Sequence, residues 1–152
     1  MEIERKFLVA KPPIGWKKWP RSKILQGYLP VKNSQLEIRL RRKNSSRMMT
    51  VKCGHGLSRL EEEFEIPSAQ FESLWRLTRG ERIAKTRYIH QVAGGKIEMD
   101  VFAGPHRGLI TAEMEFKSAD ESRLFQPPAW FGREITGSKR YGNRNLARRR
   151  SA

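Results

Sequence analysis

Cysteine is all but absent: Cys53 is the single one in 152 residues, which excludes an internal disulfide framework and any multi-cysteine zinc site. No apolar run approaches the ~18 residues of a membrane-spanning helix. Acids are scarce beside bases, 16 against 31, a formal charge of +15. Hydrophobic content of 38% is low for an ordinary core, yet the chain is too apolar and too periodic to be disordered. His55, His90 and His106 are too scattered for a HExxH zinc site, and neither a GxxxxGK phosphate loop nor a serine-nucleophile motif is present. The N-terminus, Met1-Glu2-Ile3-Glu4-Arg5-Lys6, carries acids where a signal peptide would carry a basic start and then an apolar stretch. The expectation is one cytoplasmic domain over residues 1–152, ending in a basic tail at about 147–152. Its excess charge points to a polyanionic partner, either nucleic acid or something smaller and phosphorylated.

What the chain does have is two-residue alternation. In 36–43 (LEIRLRRK), Leu36, Ile38 and Leu40 share one side of an extended strand, and Glu37, Arg39, Arg41 and Lys43 the other. The same period runs through 2–9, 48–53, 59–66, 84–91, 96–102 and 110–117, so the chain is expected to be mainly antiparallel β. Helices are fewer. Ser68 reads as the N-cap of one with Phe71, Leu74 and Trp75 on its apolar face and Gly80 at its end. A short helix follows Ser118 and stops before Pro127-Pro128, and a last one runs from about Ser138 into the arginine-rich tail. Residues 11–23 (KPPIGWKKWPRSK) read as a basic, proline-broken loop, Gly54-His55-Gly56 as a hairpin turn, and Cys53 as core packing.

The charges on these strands come in same-sign i, i+2 pairs: Glu2/Glu4, Arg39/Arg41, Glu61/Glu63, Lys85/Arg87, Glu98/Asp100 and Glu113/Glu115. Such neighbours repel unless opposite charge sits between them. Paired carboxylates suit Mg²⁺, Mn²⁺ or Ca²⁺, and paired Arg and Lys suit phosphate oxygens. A converging set of both is what a metal–polyphosphate complex needs. Strands bearing these faces would close into an antiparallel barrel of about eight strands with a charged lumen, just wide enough for one small ligand. The apolar sides would face outward under helices, namely the one around Trp75 and the C-terminal one.

The motifs resemble, in order, those of the CYTH superfamily, the triphosphate tunnel metalloenzymes. They begin with the ExExK signature at Glu2-Ile3-Glu4-Arg5-Lys6 and continue through Gln26-Gly27-Tyr28-Leu29, Glu37-Ile38-Arg39-Leu40-Arg41, Thr50-Val51-Lys52, Arg59-Leu60-Glu61-Glu62-Glu63, Lys85-Thr86-Arg87-Tyr88, Glu98-Met99-Asp100, Glu113-Met114-Glu115 and 128–136. The likeness is strongest to the compact bacterial branch that includes inorganic tripolyphosphatases. It implies an eight-stranded tunnel in which Glu2, Glu4, Asp100, Glu113 and Glu115 gather Mg²⁺ or Mn²⁺. Glu61 and Glu63 would hold a second metal or orient the attacking water. Lys6, Arg39, Arg41, Lys52, Lys85 and Arg87 would clamp the triphosphate, with Tyr28 beside Lys6 at the reacting end.

The implied activity is metal-dependent hydrolysis of a triphosphate, inorganic tripolyphosphate first, with no membrane partner. Adenylate cyclase or thiamine triphosphatase chemistry is the alternative within the family. Outside it, the alternative is a non-catalytic module holding RNA or polyphosphate through the 11–23 loop and the Arg148-Arg149-Arg150 tail. On the proposed lumen face acids and bases balance, so the +15 resides elsewhere. Five bases with no acid lie in 11–23, and six more in 139–150.

Overall fold

The computed structural model describes residues 3–54 and 59–149. Glu2, the turn at His55-Gly56 and Arg150 of the tail lie outside them. Eight strands form one antiparallel sheet: β1 (Ile3–Leu8), β2 (Arg21–Tyr28), β3 (Leu36–Lys43), β4 (Ser46–Cys53), β5 (Leu60–Glu65), β6 (Arg82–Val92), β7 (Gly95–Phe102) and β8 (Ile110–Phe116). Their order across the sheet is β1-β8-β7-β6-β2-β3-β4-β5. All seven alternating segments are strands. Their register places Lys6 opposite Glu113, Arg87 opposite Asp100, Glu37 opposite Lys52 and Thr50 opposite Glu63. Directly opposed residues project from the same face, so the charged sides merge into one surface.

The strand that alternation does not show is β2, whose first three residues fall in the segment expected to be a loop. Its apolar residues lie on both faces, Ile24 and Tyr28 with the charges and Leu25 opposite, which erases a two-residue hydrophobic period. Yet β2 pairs with β6 on one side and β3 on the other and so joins the two halves of the sheet. Gly27 admits the turn Arg76–Thr78 directly onto this strand: a Cβ there would lie 2.7 Å from the Thr78 side chain and 2.9 Å from the Trp75 ring.

Among the described residues three α-helices complete the fold: α1 (Ser68–Trp75), α2 (Ala119–Leu124) and α3 (Asn143–Arg148). Pro67, extended at φ −60° and ψ 151°, takes the N-cap of α1, and Ser68 is already its first helical residue. Ser118 caps α2 through its Oγ, which accepts from the Glu121 amide at 3.1 Å. On the opposite face of β7 and β8, Ile97, Ala112, Met114 and Phe116 are buried with Phe125, Trp130 and Phe131 packed against them.

Two expectations are corrected. The sheet is not closed: among the described residues β1 and β5 do not pair. The outer edge of β1 is already occupied by residues 132–136, through Gly132 N to Leu8 O at 2.7 Å, Leu8 N to Arg133 O at 2.9 Å and Ile135 N to Lys6 O at 2.7 Å. Arg5 anchors that segment by donating to both Glu134 oxygens and to the Ser122 carbonyl. An edge whose donors and acceptors are spent offers β5 nothing, and all six residues of β5 are exposed.

The C-terminal helix, in turn, is not on the outside. Leu146 and Ala147 are buried against Tyr28, Ile83 and Phe102, all on the charged face. These inner apolar residues match the apolar side of α3, whereas the outer face is already covered. Just before α3 the Tyr141 carbonyl accepts from Lys6 Nζ (3.3 Å), and Arg144 of α3 pairs with Glu37 (3.6 Å). Lys6 and Glu37 sit five strands apart in the sheet order. In a flat sheet that is about 24 Å, so the sheet curls around the C-terminal segment and the charged face is concave. No helix among the described residues is long and apolar enough to cross a membrane.

Gly27→Ala should lower stability by about 1–3 kcal/mol through overpacking against Thr78 and Trp75. The measurement is the denaturant midpoint, and an unshifted midpoint would contradict this packing.

Candidate active site

The concave face is organised around buried ions on β6 and β7. Lys85 and Asp100 are 3% and 5% exposed. Asp100 accepts from Lys85 Nζ at 2.8 Å and from Arg87 Nε and Nη2 at 2.8 and 2.9 Å. Arg87 Nη1 reaches Glu98 at 2.8 Å, and Lys96 lies 3.4 Å from the other Glu98 oxygen. Burial opposes the charge on Asp100, but the Lys85 ammonium and the Arg87 guanidinium hold its carboxyl well below the usual carboxylate range. Burial pushes the Lys85 ammonium down to about 8 even with Asp100 in contact, and neighbouring Arg87 and Lys6 add to the effect.

Across β2 and β3 the cations are arginines. Arg41 donates through Nε to Gln26 Oε1 at 2.9 Å, and the other end of that amide donates to the Tyr28 hydroxyl at 2.7 Å. Burial, with Arg39 and Arg87 nearby, lowers Arg41 to about 10. Burial also raises the Tyr28 phenol above its ordinary value. Arg39 donates to Thr50 Oγ1 at 3.3 Å and to Glu63 at 3.4 Å, and the Thr50 hydroxyl donates to Glu63 at 2.7 Å. Lys52 stands 3.8 Å from Glu61 on the exposed edge strand. Beside them a cavity of about 230 Å³ is lined by Gln35, Glu37, Lys52, Arg59 and Arg144.

The acids expected to gather metal divide. Asp100 has both oxygens engaged by Lys85 and Arg87. Glu4 and Glu113 stand on paired strands, with Glu4 opposite Glu115 and Lys6 opposite Glu113. Burial first, and then the Glu4 carboxylate beside it, raise the Glu113 carboxyl to about 7. Two carboxylates forced together in this way are hard oxygen donors short of a cation, which fits a divalent ion of the Mg²⁺ type. Such an ion needs only one or two carboxylates, with substrate oxygens and waters completing its shell. Among the described residues no three such side chains already converge on one point.

The structure therefore brings Lys6, Arg39, Arg41, Lys85, Arg87, Glu4, Glu113 and Asp100 onto one concave face, with Lys52, Glu61, Glu63 and Glu115 towards its rim. The partner that the resemblance implies for Lys6 is different: Lys6 bonds the Tyr141 carbonyl, and Tyr28 bonds Gln26. Sequence reasoning quoted Gln26 within a motif but gave it no role, and missed Asn143, whose Oδ1 accepts from Lys85 Nζ at 3.3 Å, and Arg144. It also passed over His106, which is buried and holds the Leu146 carbonyl at 2.6 Å, docking α3. Only Gln26 left a signal, as a polar residue between apolar neighbours.

Asp100→Asn should cost about 3–5 kcal/mol at neutral pH, the penalty for leaving buried cations unpaired. Because the folded-state pKa of Asp100 lies below its unfolded value near 3.9, its contribution is fully present above about pH 4. It is lost as acidification carries the carboxyl through its depressed pKa. The stability gap between wild type and D100N, read from urea unfolding, should therefore narrow towards pH 3. A gap independent of pH would contradict the ion cluster.

Comparison with known proteins agrees with this architecture. The CYTH domain family matches residues 1–148. The chain is 46% identical over 147 residues to an inorganic triphosphatase of Nitrosomonas europaea, covering 96% of both chains. It is 39% identical over 150 residues to an inorganic triphosphatase of Acetivibrio thermocellus, covering 97% of this chain and 93% of the relative. A crystal structure of an inorganic triphosphatase superposes with a TM-score of 0.82 at 42% identity, covering 100% of this chain and 97% of the other. The chain belongs to the CYTH domain family.

Proposed function

We propose that this protein hydrolyses inorganic triphosphate with a bound divalent cation, Mg²⁺ or Mn²⁺, cleaving a phosphoanhydride bond within the curl of the sheet. One juxtaposition carries the reading: a ring of cations and an under-neutralised carboxylate pair share the concave face of a chain 46% identical to an inorganic triphosphatase over 96% of its length.

In this reading Lys6, Arg39, Arg41, Lys52, Lys85 and Arg87 hold the triphosphate oxygens, the guanidiniums in a bidentate manner. Glu4 and Glu113, joined by Glu115 and by Glu2 through its alternation with Glu4, hold the metal. The cation, when bound, neutralises the transferring phosphoryl group and lowers the pKa of a water. Asp100 keeps Lys85 and Arg87 aimed into the curl, and Gln26 does the same for Arg41 while tying down Tyr28. Glu61 and Glu63, on the open edge where water enters, orient the attacking water. The fixed cations stabilise the charge spread over the equatorial oxygens of a loose transition state without reorganising.

One observation favours inorganic triphosphate over ATP or thiamine triphosphate. Three apolar residues of the concave face, Tyr28, Ile83 and Phe102, are covered by Leu146 and Ala147. That leaves phosphate-binding groups in the curl and no uncovered platform among those three for an organic ring.

Phosphate release from tripolyphosphate, ATP and thiamine triphosphate, each with Mg²⁺ and with Mn²⁺, should be fastest for tripolyphosphate and vanish in a chelator. Glu4→Ala should lower kcat at least about 100-fold with the fold intact by circular dichroism. Full turnover in folded E4A would sink the assignment. Proton competition supplies a second check. Glu113 binds a proton below about 7, so metal must displace it and affinity should rise as pH increases through that value. Calorimetric titration with Mg²⁺ or Mn²⁺ at pH 6 and 8 should show this rise in wild type and lose most of it in Glu113→Gln. Equal affinities in wild type at the two pH values would contradict the site.

A further inference from the structure

The convex face carries charge of a different kind. On the concave side, Arg39, Lys52, Lys85, Arg87 and Lys96 are paired with carboxylates within 4 Å. On the opposite side of the adjacent strands β6, β2, β3 and β4 there is no carboxylate at all, and the cations there are Arg21, Lys23, Arg42, Arg47 and Arg82. Arg82 is spent on Thr78 and the Trp75 carbonyl. The other four have no ion-pair partner among the described residues. The acids on this side, Glu62 of β5 and Glu72 of α1, are not within ion-pair distance of them.

Arg42 stands directly opposite Arg47, an arrangement of like charges that destabilises a sheet. Arg21 and Lys23 are neighbours on one strand face, two residues apart and so about 7 Å. Arg47 Nε is buried with no hydrogen-bond partner. An anion long enough to reach across three strands would relieve this repulsion at every position at once.

The ground between the cations is apolar. A cavity of about 360 Å³ is lined by Lys23, Leu25, Arg42, Asn44, Ala84 and Thr86. A second cavity, of about 750 Å³, shares Leu25 and Ala84 with it and is lined by Trp75 as well. At the other end Arg21 lies opposite Tyr88. Tyr88 meets the half-exposed Trp16 edge-on at 4.9 Å between centroids, and Trp19 stacks on His90 at 4.3 Å. The loop carrying these tryptophans also presents the exposed Lys17 and Lys18. A cationic track beside aromatic faces and an apolar floor suits a chain that alternates phosphates with flat, weakly polar groups.

We propose that the convex face, from the 16–19 loop to Arg47, binds single-stranded nucleic acid without sequence preference, independently of the tunnel chemistry. Phosphates lie along Arg21, Lys23, Arg42 and Arg47, and bases rest on Trp16, Tyr88 and the Leu25–Ala84 floor. The charge on this face is thereby explained by a ligand, as the balanced charge on the other face is explained by ion pairs and a small triphosphate.

The test is fluorescence anisotropy of a labelled oligouridylate 20-mer with the full chain between 50 and 200 mM salt, comparing wild type, Arg42→Gln/Arg47→Gln and Trp16→Ala. Wild type should bind with a steep salt dependence. The double variant should bind at least about ten-fold more weakly, with a log–log salt slope shallower by roughly 1.4, two contacts at about 0.7 each. Trp16→Ala should weaken binding with the salt slope unchanged, because it removes stacking and no phosphate contact. Tripolyphosphate hydrolysis in both variants should stay within about two-fold of wild type, which also shows that they fold. Three results would each overturn the proposal: undiminished binding in R42Q/R47Q, displacement of the oligonucleotide by tripolyphosphate at tunnel-saturating concentration, or equally tight binding of linear polyphosphate of matched charge. The last would mean that the face reads phosphate chains alone.

Discussion

Asp100 is the fixed point of the molecule. One carboxylate, buried at the centre of the sheet, accepts from Lys85 and from two nitrogens of Arg87. Removing three such charges from water is repaid only when their geometry is held tightly and their remaining donors are satisfied. That requirement specifies the β6–β7 register: a slip of β7 by one residue would turn Asp100 to the opposite face and leave Met99 or Val101 against Lys85 and Arg87. With β6 and β7 locked, β2 and β8 inherit their alignment, and the cations of β2 and β3 are brought to the same concavity. The site is thus assembled around charges that stabilise the fold only in the arrangement that a polyanion requires.

The curl follows from how the two edges are treated. At one end of the sheet the backbone of β1 is saturated by residues 132–136, with Arg5 clamping them to α2. At the other end β5 pairs with β4 alone and presents four glutamates among its six residues. Those glutamates discourage edge-to-edge association, and three of them, Glu61, Glu63 and Glu65, also lie on the concave face. An unclosed sheet leaves one side of the site open to water, and the C-terminal segment fills the opposite need. By reaching Lys6, Lys85 and Glu37 from inside, it holds the charged face curved without a closing strand pair.

Seven strands were legible because a half-buried antiparallel strand must alternate, and side-chain direction alternates with it. The charged face was legible for the same reason, since every residue expected to line it that lies within a described strand projects to one side. β2 was not, because its inner face carries Ile24 and Tyr28 among the polar residues and its outer face ends in a glycine chosen for close packing. Closure was not legible either. The stretch that caps β1, Gly132–Thr136, bonds mainly through backbone atoms, and backbone donors and acceptors look alike at every residue. The side of the sheet taken by α3 depends on which apolar surface is still uncovered once the rest has folded. Leu146 and Ala147 fit either face by composition. Gln26 and Asn143 act through single hydrogen bonds to cations from distant segments, contacts with no local period to betray them.

The charge carried by the strands separates into two physical regimes on the two sides of one sheet. The concave side interleaves acids with bases, so most of its field is spent internally, and what remains is shaped to a few phosphate oxygens and one cation. The convex side spends almost nothing. Its cations face one another across β3 and β4 and along β2, at a cost in folding energy that an enzyme confined to a small triphosphate would have no reason to bear. A surplus of bases would suffice to steer anionic substrates from any position on the surface. Steering alone leaves unexplained their concentration on four strands cleared of carboxylates, beside aromatic rings and over an apolar floor. The distribution of the charge, more than its sum, is what a structural account of this chain has to explain.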